Sequence, residues 1–184
     1  MQERSRRLRL VSATEESVRA EIEDAAALGR LLDAEIPVDW PPESVRDALP
    51  LFLARHRSHP EWTGWLGWYA IRLDLHADVL CGSVGFKGPP DADGMVEIGY
   101  SVLPAHQGAG VATEMVETLV RWACRDGGVL CVEAETTTDN PASVRVLERT
   151  GFVAARTDTA RGALRFRFVA SRGRPERMKW AATG

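Results

Sequence analysis

The stretch HQGAGVATEM, His106 to Met115, places Gly108, Ala109 and Gly110 in a row and then turns helical. The first N–H groups of a helix have no acceptor within it, and the helix dipole adds partial positive charge at that end. Small residues just ahead of the helix let an anion reach those N–H groups. The stretch therefore reads either as a phosphate-binding loop or as a plain tight turn between strand and helix. Two kinds of phosphate loop fit poorly. A P-loop needs Gly-Lys-Ser/Thr, and Gly110 is followed by Val111 and Ala112. A dinucleotide fingerprint needs G-x-G-x-x-G near the first strand of a βαβ unit, and here Thr113 and Glu114 follow late in the chain.

Just upstream, Glu97 interrupts an apolar strand-like run, MVEIGYSVL (Met95–Leu103), on a face it shares with Gly99 and Ser101. A carboxylate in such surroundings holds a proton more readily than one in water, which suits a general base. The alternative is a glutamate at the wet mouth of a sheet, or one that only binds a cationic group. Downstream, Asn140-Pro141 opens another helix, with Asn as N-cap and Pro at the first helical position. Trp62, Trp65 and Trp68 lie at three-residue spacing and Trp40 sits in DWPP. They read as core and interface packing or as the wall of an aromatic pocket. His56 and His59 form an isolated H-x-x-H without further ligands at metal spacing, so no metal is expected. Cys81, Cys124 and Cys131 are scattered and odd in number, and read as reduced core residues of a cytoplasmic protein.

The elements that must position these groups follow from periodicity. Arg7–Ser12 reads as a first strand. From Glu15, Val18, Ile22, Ala25, Leu28 and Leu32 form a helical stripe. After the prolines of PVDWPPES, Glu43 to His56 is helical again, and Pro50 within it predicts a kink or two short helices. Trp65–Leu73, Val79–Gly88 and Met95–Leu103 read as central strands, apolar on both faces. The helix after the glycine loop runs to about Arg125, with Ala112, Met115, Val116, Leu119, Val120 and Ala123 inward, and ends at Gly127-Gly128. A strand over Val129–Thr136, a helix closed by Gly151 and a hairpin of FVAARTDT with ALRFRFVAS complete the order. In the last strand Leu164, Phe166 and Phe168 alternate with a solvated Arg165 and Arg167. Hairpins mixed with crossovers predict a mixed sheet.

With 184 residues, 45% of them hydrophobic, the chain has enough apolar material for one domain spanning 1–184. Its net charge of −3 argues against a general nucleic-acid binder. The basic start MQERSRRLRL is followed by no apolar run, which argues against a signal peptide, and no stretch has the length of a membrane span.

The loop resembles the acetyl-CoA loop of the GNAT N-acetyltransferase superfamily, Gln/Arg-x-x-Gly-x-Gly/Ala, with Gln107, Gly110 and Ala112 in its fixed positions. VEIGYSVLPAHQGAGVATEMV is similar to that family's strand–loop–helix core. AETTTDNPASVRVLERTGF is similar to its following strand–helix–turn, with Asn140, Ser143 and Gly151-Phe152 in place. The resemblance covers about Val79 to Phe168, half the chain, and leans toward the ribosomal-protein-alanine N-acetyltransferase-like branch.

The resemblance implies an α+β fold: a mixed, mostly antiparallel sheet of about seven strands, with splayed fourth and fifth strands and about four flanking helices. The pantetheine arm would lie in the splay, bonding like a false strand to backbone around Val102 and Leu103. The pyrophosphate would sit on Gln107, Gly108, Ala109, Gly110, Val111, Ala112 and Thr113. Asn140 would bond the arm or act only as a helix cap. Acetyl transfer to an amine needs a proton acceptor, an oxyanion partner and a proton for the thiolate. Glu97 is the candidate base and Ser143 a candidate for bonding the cofactor or protonating the thiolate, with water as the other proton source. Many members carry a tyrosine acid where this chain has Leu147; Tyr100 is a spare. The implied activity is acetyl-CoA-dependent N-acetylation of a protein N-terminus or a small amine by direct attack. The alternative is a non-catalytic acyl-CoA-binding sensor. No nucleic acid, membrane or metal partner is expected, and monomer and homodimer both remain open.

Overall fold

The computed structural model describes residues 1–125, 128–158 and 162–170. Eight strands among them form one sheet: β1 (Gln2–Arg4), β2 (Leu8–Ser12), β3 (Gly67–Arg72), β4 (Val79–Phe86), β5 (Met95–Val102), β6 (Cys131–Thr137), β7 (Val153–Asp158) and β8 (Ala163–Val169). Their spatial order is β1-β2-β3-β4-β5-β6-β8-β7. Six neighbouring pairs are antiparallel; β5 and β6 alone are parallel. Parallel neighbours need a crossover, and α5 (Val111–Ala123) supplies it.

Helix α5 lies on one face of the sheet with α6 (Pro141–Arg149), over a core that includes Trp68, Val84, Val96, Ile98, Met115, Leu119 and Leu147. The inward stripe of α5 is the expected one, with Ala112 only half-buried and Val111 and Thr118 added. The other face is covered by α1 (Glu15–Glu23), α2 (Ala25–Leu32) and α4 (Leu49–Ser58) around Val18, Leu28, Tyr69, Ile71 and Leu103. Along β3, Trp68 and Ala70 go to the first core and Tyr69 and Ile71 to the second, the period-two alternation of a strand covered on both sides.

Several boundaries differ from the sequence reading for local reasons. The stripe from Val18 to Leu32 is two helices, because Asp24 turns extended (φ −154°) and its Oδ1 accepts from the N–H groups of Ala26 and Ala27, starting α2. Two short helices do replace one, α3 (Glu43–Arg46) and α4, but the break falls at Asp47-Ala48, and Pro50 sits in the first turn of α4, where no N–H is missed. The eighth strand, β1, was not foreseen: three residues carry too little pattern. The splayed pair is consequently β5 and β6. Of the cysteines only Cys81 is fully buried, while Cys124 and Cys131 are half-buried; all three are free thiols. Gly127 of the expected helix stop, Thr159 and Ser171 lie outside the described residues.

Leu147 faces inward from α6 and is fully buried. Truncation there leaves a cavity, so Leu147→Ala should cost about 2–5 kcal/mol, read as a lowered midpoint in urea denaturation. A loss under 0.5 kcal/mol would mean that α6 is not anchored by this side chain.

Candidate active site

Strands β5 and β6 run together from Met95↔Cys131 to Ile98↔Ala134 and then part. Beyond that point β5 continues beside β4, to Gly82↔Val102, and β6 beside β8, to Thr137↔Ala163. A wedge thus opens inside the sheet. The hydrogen bonds show what faces it. Lys87 N–H donates to Glu97 O (3.0 Å) and Leu103 N–H to Cys81 O (3.0 Å), so Glu97 and Leu103 point their backbone groups toward β4. Alternation along an antiparallel pair then turns the N–H and C=O of Tyr100 and Val102 into the wedge. Val102 therefore lies where the sequence reading placed a bonding edge, and Leu103 does not. Its N–H is taken by Cys81, its C=O accepts from His106 N–H (2.9 Å), and its side chain is buried on the opposite face.

The wedge leads to the glycine loop. Gly108 and Gly110 adopt left-handed conformations (φ 73° and 77°), which a Cβ disfavours. A Cβ at Gly108 would meet nothing within 4 Å, so the loop presents bare backbone. Gly110 is the N-cap of α5 and offers no side chain to its first N–H groups. Val111 is buried beneath, while Ala112 and Thr113 are half-buried in the first turn. Gln107 does not point to an anion: its Nε2 donates to Val102 O (2.9 Å), tying loop to strand edge. Beside it, His106 Nδ1 is buried without a partner among the described atoms.

Arg7, which the sequence reading passed over, braces this loop. Its Nη1 donates to Ala109 O (2.9 Å), and its Nε and Nη2 meet Glu114 Oε2 at 2.8 and 2.7 Å. Glu114 also accepts from Ser5 Oγ (2.6 Å) and Arg7 N–H (2.7 Å). Although burial opposes it, this set of donors holds the Glu114 carboxyl below its ordinary range. A basic cluster at a chain start carries no local sign of such a role.

On the α6 side of the wedge, Asn140 Oδ1 accepts from Ser143 N–H (3.0 Å), the cap foreseen from the sequence. Ser143 Oγ meets the Tyr100 hydroxyl at 2.8 Å, so strand and helix are joined across the opening. Burial raises the Tyr100 pKa, which keeps the phenol protonated. A tyrosine hydroxyl thus reaches α6 from β5, while the family's tyrosine position holds the buried Leu147.

Val96, Ile98, Tyr100 and Val102 pack toward α5; Glu97, Gly99 and Ser101 occupy the other face by alternation. Glu97 does not sit among apolar groups alone, for the Lys87 ammonium forms an ion pair with it. Its register neighbour on β6, Glu133, is buried and paired with Arg167 (2.6 Å) and Arg165 (3.6 Å). The two arginines are half-exposed, as read from the sequence, yet they also neutralise this strand.

The tryptophans divide between roles. Trp65, Trp68 and Trp122 pack with Phe86 in the core, and Trp62 stacks on His59. Trp40 instead donates from Nε1 to Glu21 Oε1. Among the described residues, no cluster of three or more His, Cys, Asp or Glu is placed to hold a metal ion, and no helix is long and apolar enough to cross a membrane.

Comparisons with known proteins bear on the family and the fold. The family model described as an acetyltransferase (GNAT) domain matches residues 7–153. An uncharacterized N-acetyltransferase of Bacillus subtilis, YjdG, is 30% identical over 115 residues, 62% of this chain and 67% of that protein. A second from the same organism, YoaA, is 30% identical over 60% of each chain. Among solved structures, RimL, a ribosomal-protein alpha-N-acetyltransferase in complex with coenzyme A, superposes with a TM-score of 0.62 at 18% identity, covering 92% of this chain and 98% of the other. The ribosomal-protein-S5-alanine acetyltransferase of Vibrio fischeri gives 0.60 at 17% identity, covering 94% and 98%. These two share the fold. A splayed parallel pair feeding a glycine loop, together with the match over residues 7–153, places the chain: it belongs to the GNAT family of acetyltransferases.

Proposed function

We propose that this chain transfers the acetyl group of acetyl-CoA to a primary amine, a protein N-terminus or a small-molecule amine, by direct attack in a ternary complex. The observation that carries the reading is the β5 edge at Tyr100 and Val102 beyond its pairing with β6, its Val102 O bonded by Gln107, running into a glycine loop without a side-chain cap. Such an edge suits an amide-bearing arm, and such a loop a pyrophosphate. In this reading Val102 bonds the arm, Gln107 fixes the loop against it, and the backbone from Gly108 to Thr113 receives the phosphates. Asn140 and Ser143 flank the arm from α6. The likeness to ribosomal-protein acetyltransferases supports a protein N-terminus as one acceptor class.

Glu97 is proposed to meet the amine. The Lys87 ammonium already on it belongs to the same chemical class as the acceptor, which would take its place. Ser143 and the Tyr100 hydroxyl, 2.8 Å apart, are the groups proposed to give the departing thiolate its proton. Direct attack is favoured over a cysteine acyl-enzyme because burial pushes the Cys81 and Cys124 thiols up to about 11 and raises that of Cys131, leaving little thiolate. Leu147 lends no support to the alternative of a non-catalytic sensor, since its side chain is core and Tyr100 brings a phenol to Ser143 from β5.

The experiment is a screen of labelled acetyl-CoA against amines and peptides beginning with Ala, Ser or Met. Binding without turnover on any amine would overturn the reading. Cofactor binding is tested by Ala109→Glu, which adds bulk and negative charge to the loop without placing a side chain at a left-handed glycine. Affinity for acetyl-CoA should fall at least tenfold, about 1.4 kcal/mol, by calorimetry; unchanged affinity would make the loop a plain turn.

Two further outcomes concern the chemistry. Ser143→Ala should slow turnover less than tenfold, because the Tyr100 hydroxyl and water stay at the wedge; a hundredfold loss with cofactor affinity intact would make serine the acid. Glu97→Gln should lower kcat/KM for the acceptor by about a hundredfold or more while acetyl-CoA affinity moves less than twofold. Wild-type kinetics in that variant would leave Glu97 a structural partner of Lys87.

A further inference from the structure

Arg7 and Ala109 stand 102 residues apart in the chain and meet at the glycine loop. The Ala109 carbonyl lies just ahead of α5, and Glu114 N–H bonds the next carbonyl, Gly110 O (3.1 Å). Among the described residues the donor to Ala109 O is Arg7 Nη1, at 2.9 Å. The Ala109–Gly110 peptide is trans, so its C=O and N–H point to opposite sides. Holding the carbonyl on Arg7 therefore turns the Gly110 N–H away from the guanidinium. Within the described residues no acceptor meets the N–H groups of Gly108, Ala109 or Gly110. These are the donors that an anion at the loop would take. The two glycines face different surroundings. A Cβ on Gly110 would stand 3.4 Å from Arg7 Nη2, whereas one on Gly108 would meet nothing within 4 Å. The bare backbone at Gly110 thus admits the guanidinium, and that at Gly108 leaves open space.

The charge of Arg7 is taken up within the protein. Its Nε and Nη2 meet Glu114 Oε2 at 2.8 and 2.7 Å, while Glu114 Oε1 accepts from Arg7 N–H (2.7 Å) and Ser5 Oγ (2.6 Å). Glu114 stands in the first turn of α5, so the guanidinium is fixed to the helix that the loop opens. A planar fork held on one edge by a carboxylate and on the other by a carbonyl has one orientation. A carboxylate in that turn would by itself repel an anion at the helix start, and the guanidinium offsets it. Arg4 and Arg6, exposed on the same stretch, make no ion pair among the described residues. They supply positive charge without such fixing, so attraction alone does not call for the geometry of Arg7.

We propose that Arg7 is a positioning residue for the phosphates of the cofactor: it sets the Ala109–Gly110 peptide with its N–H toward the ligand and does not itself touch the phosphates. This rests on the acetyl-CoA reading above. The effect is confined to one part of the ligand. The arm is assigned to β5 and α6, which Arg7 does not contact, so the loss of Arg7 should be felt by a ligand with phosphates and not by one without. Coenzyme A and pantetheine are that pair.

The test is calorimetric binding of coenzyme A and of pantetheine to wild type, Arg7→Met, Glu114→Gln and the double variant, with melting temperatures as the check on folding. Arg7→Met keeps an aliphatic stem and removes the donors. Affinity for coenzyme A should fall about tenfold while that for pantetheine moves less than twofold. The other two variants separate position from charge. Glu114→Gln removes a negative charge beside the loop, so a site that used charge alone would bind coenzyme A more tightly. Binding should instead weaken by about threefold, because an amide turns donors toward the guanidinium and loosens it. The double variant loses one charge of each sign. Its affinity should stay about tenfold below wild type, whereas charge alone would restore it. Arg7→Met that binds coenzyme A like wild type, or loses both ligands in the same proportion, overturns the proposal, as does a Glu114→Gln that binds more tightly. The sign in Glu114→Gln decides alone if Arg7→Met fails to fold or pantetheine binds too weakly to titrate. All of these outcomes leave acetyl transfer standing. A wild type that does not bind coenzyme A overturns the proposed function itself.

Discussion

The structure depends on the parting of β5 and β6 after Ile98 and Ala134. A sheet interrupted in its middle leaves backbone N–H and C=O groups without strand partners, and such groups inside a protein require another partner. The fold accepts that break because each strand is secured on its far side, β5 by β4 and β6 by β8. Tyr100 meets Ser143 across the flank of the wedge, and Gln107 ties the loop to Val102 at its end.

Charge on the two faces is organised around this opening. On the face toward α5, the loop collects partial positive charge from the start of the helix, and Arg7 is present but held back by Glu114. On the opposite face each strand carboxylate is given a cation: Lys87 for Glu97, Arg167 for Glu133. The face toward α5 is thus suited to anions, and on the other face the strand acids are paired with cations.

Much of this was legible in the sequence. Alternation and helical stripes fixed the central strands and α5, and Asn140-Pro141 fixed the start of α6, because local chemistry decides each of them. The loop was legible because Gly108 and Gly110 answer a backbone need that few other residues meet. The partners that matter most to its neighbours were not. Arg7 meets Glu114 across 107 residues, and Glu21 meets Tyr69 across 48, separations at which no periodic pattern operates. The Lys87 partner of Glu97 is closer, yet it follows from a hairpin register that the sequence left open. Leu103 shows the same limit on a smaller scale. One residue's shift along β5 decides whether a backbone group faces the wedge or the neighbouring strand.

The brace between the first residues and α5 bears on how the molecule is made. Ser5 and Arg7 leave the ribosome about a hundred residues before Glu114. Their contact closes a long chain loop, a step with a high entropic cost that comes late in folding. The glycine loop therefore receives its support from Arg7 only after both halves of the chain have met. A nascent or partly folded chain holds the loop's residues without that support, so the loop reaches its braced geometry only when the fold is complete.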